Sequence, residues 1–204
     1  MTGPEGKAEN GRPPEDALNR ALPRFPRSVF SPPQRQLMLD SIFLLIPFAL
    51  QTFCMAVDEF YFHRRRGLPR WERLGHPLDT LTVLACFVWL LSAAPSAVSL
   101  GVYAGLSVFS CLFVTKDEPV HSKNCLPNEQ WLHALLFILH PLVLLSAGLL
   151  WPAWRRQTLS FIRYTGFERK FLLGNTLLTL AFGLYQLIYW NFIWQPATTK
   201  KQAG

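Results

Sequence analysis

The chain has 204 residues, of which 50% are hydrophobic and 14% aromatic, and its formal net charge is +7. This length suits one domain, and so apolar a composition favours a membrane protein. Most of the basic residues lie beside apolar runs, where arginine and lysine contact lipid headgroups. We therefore expect the lipid bilayer, and no nucleic acid, as the partner of the positive charge.

The chain begins with a polar segment, residues 1–36, that is rich in proline, glycine, glutamate and arginine. Because it has too few apolar side chains to bury a core, we expect a disordered tail. No small-residue cleavage site follows the first apolar run, so we expect the first helix to remain in the mature protein. A second polar tail is expected at residues 196–204.

Five apolar runs occupy the intervening domain, residues 37–195. Each approaches the roughly 20 residues that a helix needs to cross a hydrocarbon core. The runs lack the alternation of barrel strands, and only helices and closed barrels can span a bilayer. The sequence predicts an all-α, multipass membrane bundle of about five transmembrane helices. They cover Leu37–Val57, Leu78–Ala94, Ala97–Thr115, Trp131–Trp151 and Phe171–Trp194.

The segment before the fifth run mixes tryptophan with arginine, as in "WPAWRRQ" from Trp151 to Gln157. Such a mixture is typical of a helix lying at the membrane interface, and we predict one there. An odd number of spans places the two chain ends on opposite sides of the membrane. The basic residues near the membrane divide equally, nine on each side, so the orientation stays open.

Five spans also place the segments Asp58–Pro77 and Lys116–Gln130 on the same side of the membrane. All five histidines, and seven of the thirteen acids, then lie in or just beneath one face. Imidazole and carboxylate ligands suit iron, manganese or zinc, whereas a thiolate site would need paired cysteines that the chain lacks. The sequence therefore predicts a metal site at this face.

Four of the histidines follow an acid by four residues, a spacing that puts both side chains on one helical face. Pro119 interrupts one of these pairs. His140 lies seven residues after His133, on the same face and about 10 Å deeper, just before Pro141. The four pairs are Glu59 with His63, Glu72 with His76, Asp117 with His121, and Glu129 with His133.

Local signals predict how the histidine segments fold. Pro69 can open a short helix that Gly75 and Pro77 would close. Asn128 is a suitable N-cap for the fourth span. The arginines of "HRRR" are interpreted as a flank that contacts headgroups, and the aromatic end of the fifth span as an interfacial belt and packing surface.

These patterns predict an integral membrane metalloprotein, interpreted as an enzyme acting on a lipid-like or apolar substrate. Iron is the favoured metal, for a di-iron oxidation fed by a separate electron donor, whereas zinc would indicate a hydrolase with Glu129 or Asp79 as general base. A non-enzymatic scaffold, transporter component or assembly factor is the alternative. The expected metal ligands or their partners are His63, His76, His121, His133, His140, Glu59, Glu72, Asp117 and Glu118.

Overall fold

The computed structural model describes Gly3, residues 38–119 and residues 125–195, without the side chain of Asp117. Both expected tails, apart from Gly3, and His121 lie outside these described residues. Within them, the chain forms the expected all-α bundle, with five helices that are long and apolar enough to cross a membrane. They are α1 (Ser41–Arg66), α2 (Arg70–Ser92), α3 (Ala97–Lys116), α4 (Pro127–Trp154) and α5 (Glu168–Ile193).

Helices α1 and α2 extend further than the sequence predicted, and residues 67–69 alone connect them. Gly75 and Pro77 do not close a short helix but lie inside α2, so that prediction was wrong. Pro77 has no N–H to donate to the Arg73 carbonyl one turn earlier. Asn191 of α5 donates its side-chain N–H to that carbonyl at 3.2 Å instead. The helix continues because a neighbouring helix satisfies the group that proline leaves open.

The start of α4 also differs from the prediction, by two positions. The helix begins at Pro127, with Leu126 before it, so Asn128 lies in the first turn and is not the N-cap. Proline suits the first helical position, because that residue's N–H has no partner within the helix and proline's fixed φ angle is already helical.

Residues 155–167 form turns and a short strand instead of the expected interfacial helix. Two-residue strands β1 (Leu39–Asp40) and β2 (Ile162–Arg163) pair in parallel. Arg155 turns back to the end of α2, where its guanidinium donates to the carbonyls of Ser92 and Ala93 at 2.5 and 2.7 Å. These contacts use basic and apolar side chains that a helix at the interface would have presented to lipid.

Helices α2 and α4 lie at the middle of the bundle and contact each other. Helix α2 also packs against α3 and α5, and α4 packs against α1, α3 and α5. The main apolar core joins the starts of α1, α3 and α5 to the ends of α2 and α4. It includes Leu44, Phe48, Phe87, Leu90, Tyr103, Ala147, Leu150, Trp151 and Leu172. The opposite end of the bundle is where the polar side chains gather.

Candidate metal centre

The polar end of the bundle brings together the last turns of α1 and α5 and the first turns of α2 and α4. Carboxylates and imidazoles are costly to bury in an apolar bundle unless they pair with one another or with an ion. Their burial here marks this cluster as a candidate functional site. Glu59, His63, Glu72 and Glu129 are each at most 1% exposed. The full cluster comprises Asp58, Glu59, His63, Glu72, His76, Glu129 and His133.

A π-helical turn in α1, Asp58–His63, supplies three of these side chains. Because a π-helix bonds each residue to the one five positions on, residues five apart share a face. His63 Nε2 thus lies 3.2 Å from Asp58 Oδ2. In an α-helix the two would point about 140° apart, which is why the four-residue spacing did not identify Asp58. Segments with π geometry are rare and frequently occur at functional sites.

Helix α4 places Glu129 and His133 against this turn. His133 Nε2 lies 3.1 Å from Asp58 Oδ1, so each oxygen of Asp58 faces a different imidazole. Glu129 Oε1 lies 4.0 Å from His63 Nε2. One ligand atom from each of Asp58, His63, Glu129 and His133, here called the primary group, lies within 4.8 Å of the others. Tetrahedral ligands with zinc bonds of about 2.0–2.2 Å stand roughly 3.4 Å apart, close to these separations.

Helix α2 supplies a second set of donors next to the first. Ligand atoms of His63, Glu72 and His76, here called the secondary group, also lie within 4.8 Å of one another. The rings of His63 and His76 stack with their centroids 4.8 Å apart. Because His63 belongs to both groups, an ion in one of them takes a donor from the other.

Arg66 lies between the two groups. Its Nη2 is 2.8 Å from Glu72 Oε2 and 2.9 Å from Glu129 Oε1. The expectation that this arginine contacts headgroups was wrong, because the side chain turns into the bundle and is only 18% exposed. A guanidinium is always charged, and this one already occupies the place of a cation between two carboxylates.

Glu59 connects the cluster to α5. One of its oxygens accepts a hydrogen bond from Trp190 Nε1 at 2.6 Å, and the other lies 3.4 Å from His63 Nδ1. Trp190 is completely buried, so it is not part of an interfacial belt. When one imidazole nitrogen faces a metal ion, a carboxylate at the other nitrogen fixes the orientation of the ring. Glu59 is in that position, because it lies at Nδ1 of His63 while Nε2 faces Asp58.

Two further predicted site residues lie away from both groups. His140 is buried deeper in the bundle, and its Nε2 lies 3.0 Å from Ser110 Oγ on α3. Asp79 accepts a hydrogen bond from Lys116 Nζ at 2.7 Å. Because Asp79 lies outside both groups, it is a weaker candidate for the general base than Glu129, which belongs to the primary group.

The loop before α4 contributes little to the cluster among its described residues. Glu118 is exposed and belongs to neither group. The side chain of Asp117, like His121, falls outside the described residues, so that predicted pair is not placed. Burial raises the pKa of Cys125 to about 12. Its thiol therefore stays protonated at neutral pH when no metal ion is bound to it.

A cavity of about 420 Å³ extends from the cluster into the bundle. Ligand pockets typically measure about 300–1,000 Å³, so this volume suits a small molecule. Asp58 and His133 line its polar end, and the remaining wall combines aliphatic and aromatic side chains with polar ones such as Gln51, His140 and Asn175.

No protein-family model, curated protein or solved structure matches this chain. Fold and site together define a multipass helical membrane protein with a buried His/carboxylate cluster that could hold a metal ion. Its function is argued from this geometry alone.

Proposed function

We propose that this protein is a metal-dependent membrane enzyme that holds one divalent ion with Asp58, His63 and His133. The observation that supports this most is the position of Asp58, whose two oxygens lie 3.2 and 3.1 Å from the Nε2 atoms of the two histidines. Two imidazoles and one carboxylate, with a fourth position open, form the ligand set of many catalytic zinc and iron sites.

A single ion fits this cluster better than the di-iron pair expected from the sequence. Two ions would compete for His63, which belongs to both groups. A second ion beside Glu72 and Glu129 would also meet the guanidinium of Arg66, which contacts both carboxylates. Its positive charge would repel that ion, so we propose that the primary group alone is loaded.

Hydrolysis is the reaction that this arrangement favours. A zinc ion supplies Lewis acidity and lowers the pKa of bound water. Glu129 lies beside the three ligands and is further from His63 than Asp58 is, at 4.0 Å against 3.2 Å, and Arg66 contacts its carboxylate at 2.9 Å. Glu129 is therefore the candidate general base, with water adding across an ester or amide bond to give an acid and an alcohol or amine.

Iron-dependent oxidation is the second candidate, because two histidines and one carboxylate also form the facial triad of mononuclear iron oxygenases. That reaction would require oxygen and a separate electron donor. For either reaction, the adjoining apolar cavity supports a lipid-like substrate.

Elemental analysis of the purified full-length chain tests the proposal. We expect about one zinc per wild-type chain and less than a tenth of that in His133→Ala, which removes a ligand. His140→Ala is the matched control, because this second buried histidine of α4 bonds Ser110 outside the primary group and should leave the metal content unchanged. Asp58→Asn provides an isosteric second variant if His133→Ala does not elute as a single species.

Each result of this measurement has a distinct meaning. One iron per chain would replace hydrolysis with oxidation, and two irons per chain would reinstate the di-iron reading. If the wild type contains no metal after chelator-free purification, and binds none on addition of zinc or iron(II), the metalloenzyme proposal is wrong. The cluster would then be a structural network in a scaffold or assembly factor.

A further inference from the structure

We propose that the cavity binds one extended apolar chain of a substrate whose polar end is uncharged, and that this chain arrives sideways from the membrane between α1 and α5. The inference rests on the proposed function, since the polar end of the chain would lie at the metal centre. It names the substrate class as single-chain fatty esters or amides.

The cavity is long and narrow along the helix axes. Helices α1, α2, α4 and α5 each line it over eleven to thirteen residues, which corresponds to a rise of about 15–18 Å at 1.5 Å per residue. Each C–C bond of about 1.52 Å lengthens an extended hydrocarbon chain by roughly 1.25 Å along its axis. A chain of about twelve carbons therefore has a length similar to that of the cavity. The lining stretches are bounded by Phe48 and Phe60 in α1, His76 and Phe87 in α2, His133 and Val143 in α4, and Asn175 and Gln186 in α5.

The end of the cavity far from the cluster is closed by the main apolar core. Phe48, Phe87 and Val143 line the cavity there and are each 3% exposed. The rings of Phe48 and Phe171 meet edge to face at 5.0 Å, which joins α1 to α5 at this level. A chain longer than the cavity would have to displace this packing, so its length is limited.

Helices α1 and α5 meet again near the cluster, where the rings of Phe60 and Tyr185 lie 5.8 Å apart. Between the two contacts, Thr52 of α1 and Leu178 of α5 line the cavity and are exposed, and the two helices make few contacts with each other. The cavity therefore reaches the outside between these two helices. That surface belongs to membrane-spanning segments, so the opening faces hydrocarbon instead of water.

The charge at the polar end selects the type of headgroup. Asp58, Glu59 and Asp79 all line the cavity, and no arginine or lysine does so among the described residues. Asp79 is neutralised by Lys116, but the carboxylates of Asp58, Glu59, Glu72 and Glu129 still outnumber the positive charges of Arg66 and one divalent ion. The remaining negative charge at this rim disfavours an anionic carboxylate or phosphate. An ester or amide carbonyl carries no charge and offers a lone pair to an ion held by Asp58 and His133, so it fits both the rim and the proposed centre.

Photo-crosslinking in lipid nanodiscs tests this inference with two probes. One is a dodecyl alcohol with a diazirine near the end of its chain, and the other is the matching dodecanoate. We expect the alcohol to label Phe48, Phe87 or Val143, at the closed end of the cavity. The anionic probe should label these residues at least about tenfold less, a difference that requires only about 1.4 kcal/mol.

A pair of tryptophan substitutions on α5 identifies the cavity as the place of labelling. Thr179→Trp fills the cavity and should reduce labelling at its closed end about tenfold or more. Leu177→Trp is the control, because Leu177 is 56% exposed and does not line the cavity. Thr52→Trp, at the opening in α1, gives a second test if Thr179→Trp does not fold. Equal labelling of lipid-facing residues, or labelling unchanged by both cavity variants, would overturn the inference.

Metal content measured on the same samples separates this inference from the proposed function. Labelling at the closed end in a wild type that binds no metal would sustain the apolar-chain site and refute the metalloenzyme. Stoichiometric metal without such labelling would refute the apolar-chain site alone. Equal labelling by the alcohol and by the carboxylate would refute the proposed selection for an uncharged polar end.

Discussion

Three consecutive arginines at the end of α1 have three different environments. Arg64 lies over the rings of Phe60 and Tyr189, and Arg65 lies 3.8 Å from the centroid of the Tyr61 ring. Only Arg66 enters the cluster. Successive residues of a helix point about 100° apart, so a run of identical side chains does not indicate which one faces inward.

Removing the inward arginine should destabilise the fold. Arg66→Gln takes a permanent positive charge away from Glu72 and Glu129, both of which are buried. We expect the free energy of unfolding in mixed micelles to fall by about 2–4 kcal/mol. Arg65→Gln, which loses only a contact with an exposed ring, should cost less than about 1 kcal/mol. Equal losses for the two variants would mean that the cluster does not depend on Arg66.

Asp58 and Trp190 illustrate which site residues the sequence could not identify. Spacing drew attention to three four-residue pairs that the structure places in the cluster, because side chains four apart meet on a helix. They are Glu59 with His63, Glu72 with His76, and Glu129 with His133. Asp58 joins the cluster only through the π turn, and Trp190 only through a contact with a residue 131 positions earlier. Neither a local change of helix geometry nor a long-range contact has a sequence signature of its own.

At the scale of helices, hydrophobic runs predicted every span but few of the ends. Continuous apolar stretches of about 20 residues have one stable form in a bilayer, which is why the five spans were predictable. Helix ends depend on neighbours. The sequence predicted that Pro77 would end a helix. The helix continues because Asn191 of α5 donates the hydrogen bond that the proline lacks. Residues 155–167 were predicted to form an interfacial helix. They form turns and a short strand, with Arg155 bound to the end of α2.

A double-mutant cycle tests the compensation between Pro77 and Asn191. Asn191→Leu should lower the free energy of unfolding by about 1 kcal/mol, because the Arg73 carbonyl loses its donor. In the Pro77→Ala background, the alanine amide can donate to that carbonyl, so the same change should cost less than half as much. Some loss will remain, since Asn191 also donates to the Leu187 carbonyl. Equal costs in both backgrounds would rule out the coupling.

Across the whole molecule, the odd number of spans predicts which segments share a side of the membrane. The turn at the start of α4 and the residues after α5 should lie on the side of the cluster, and the connection between α2 and α3 on the opposite side. The convergence of the two histidine segments was predictable from this count, because loops separated by an even number of spans return to one face.

Labelling of singly introduced cysteines with a membrane-impermeant maleimide tests this arrangement. The background is Cys125→Ser, which removes the loop cysteine. Asn128→Cys and Gln195→Cys should react from the same side of intact cells, and Ser96→Cys only from the other; all three positions are exposed. The reactive side also gives the orientation that the balanced basic residues left open. Labelling of Ser96→Cys together with Asn128→Cys from one side would contradict the five-span topology.

The packed apolar core has a consequence for permeation. Between the cavity and the far membrane side, the bundle is filled by side chains such as Ala147 and Leu150, both 0% exposed. A carrier for ions or protons needs polar steps through the whole bilayer, whereas the histidines of this bundle reach no deeper than His140 among the described residues. We therefore expect ions and water that reach the cluster to leave by the membrane side from which they arrived, without a proton leak through the described part of the bundle.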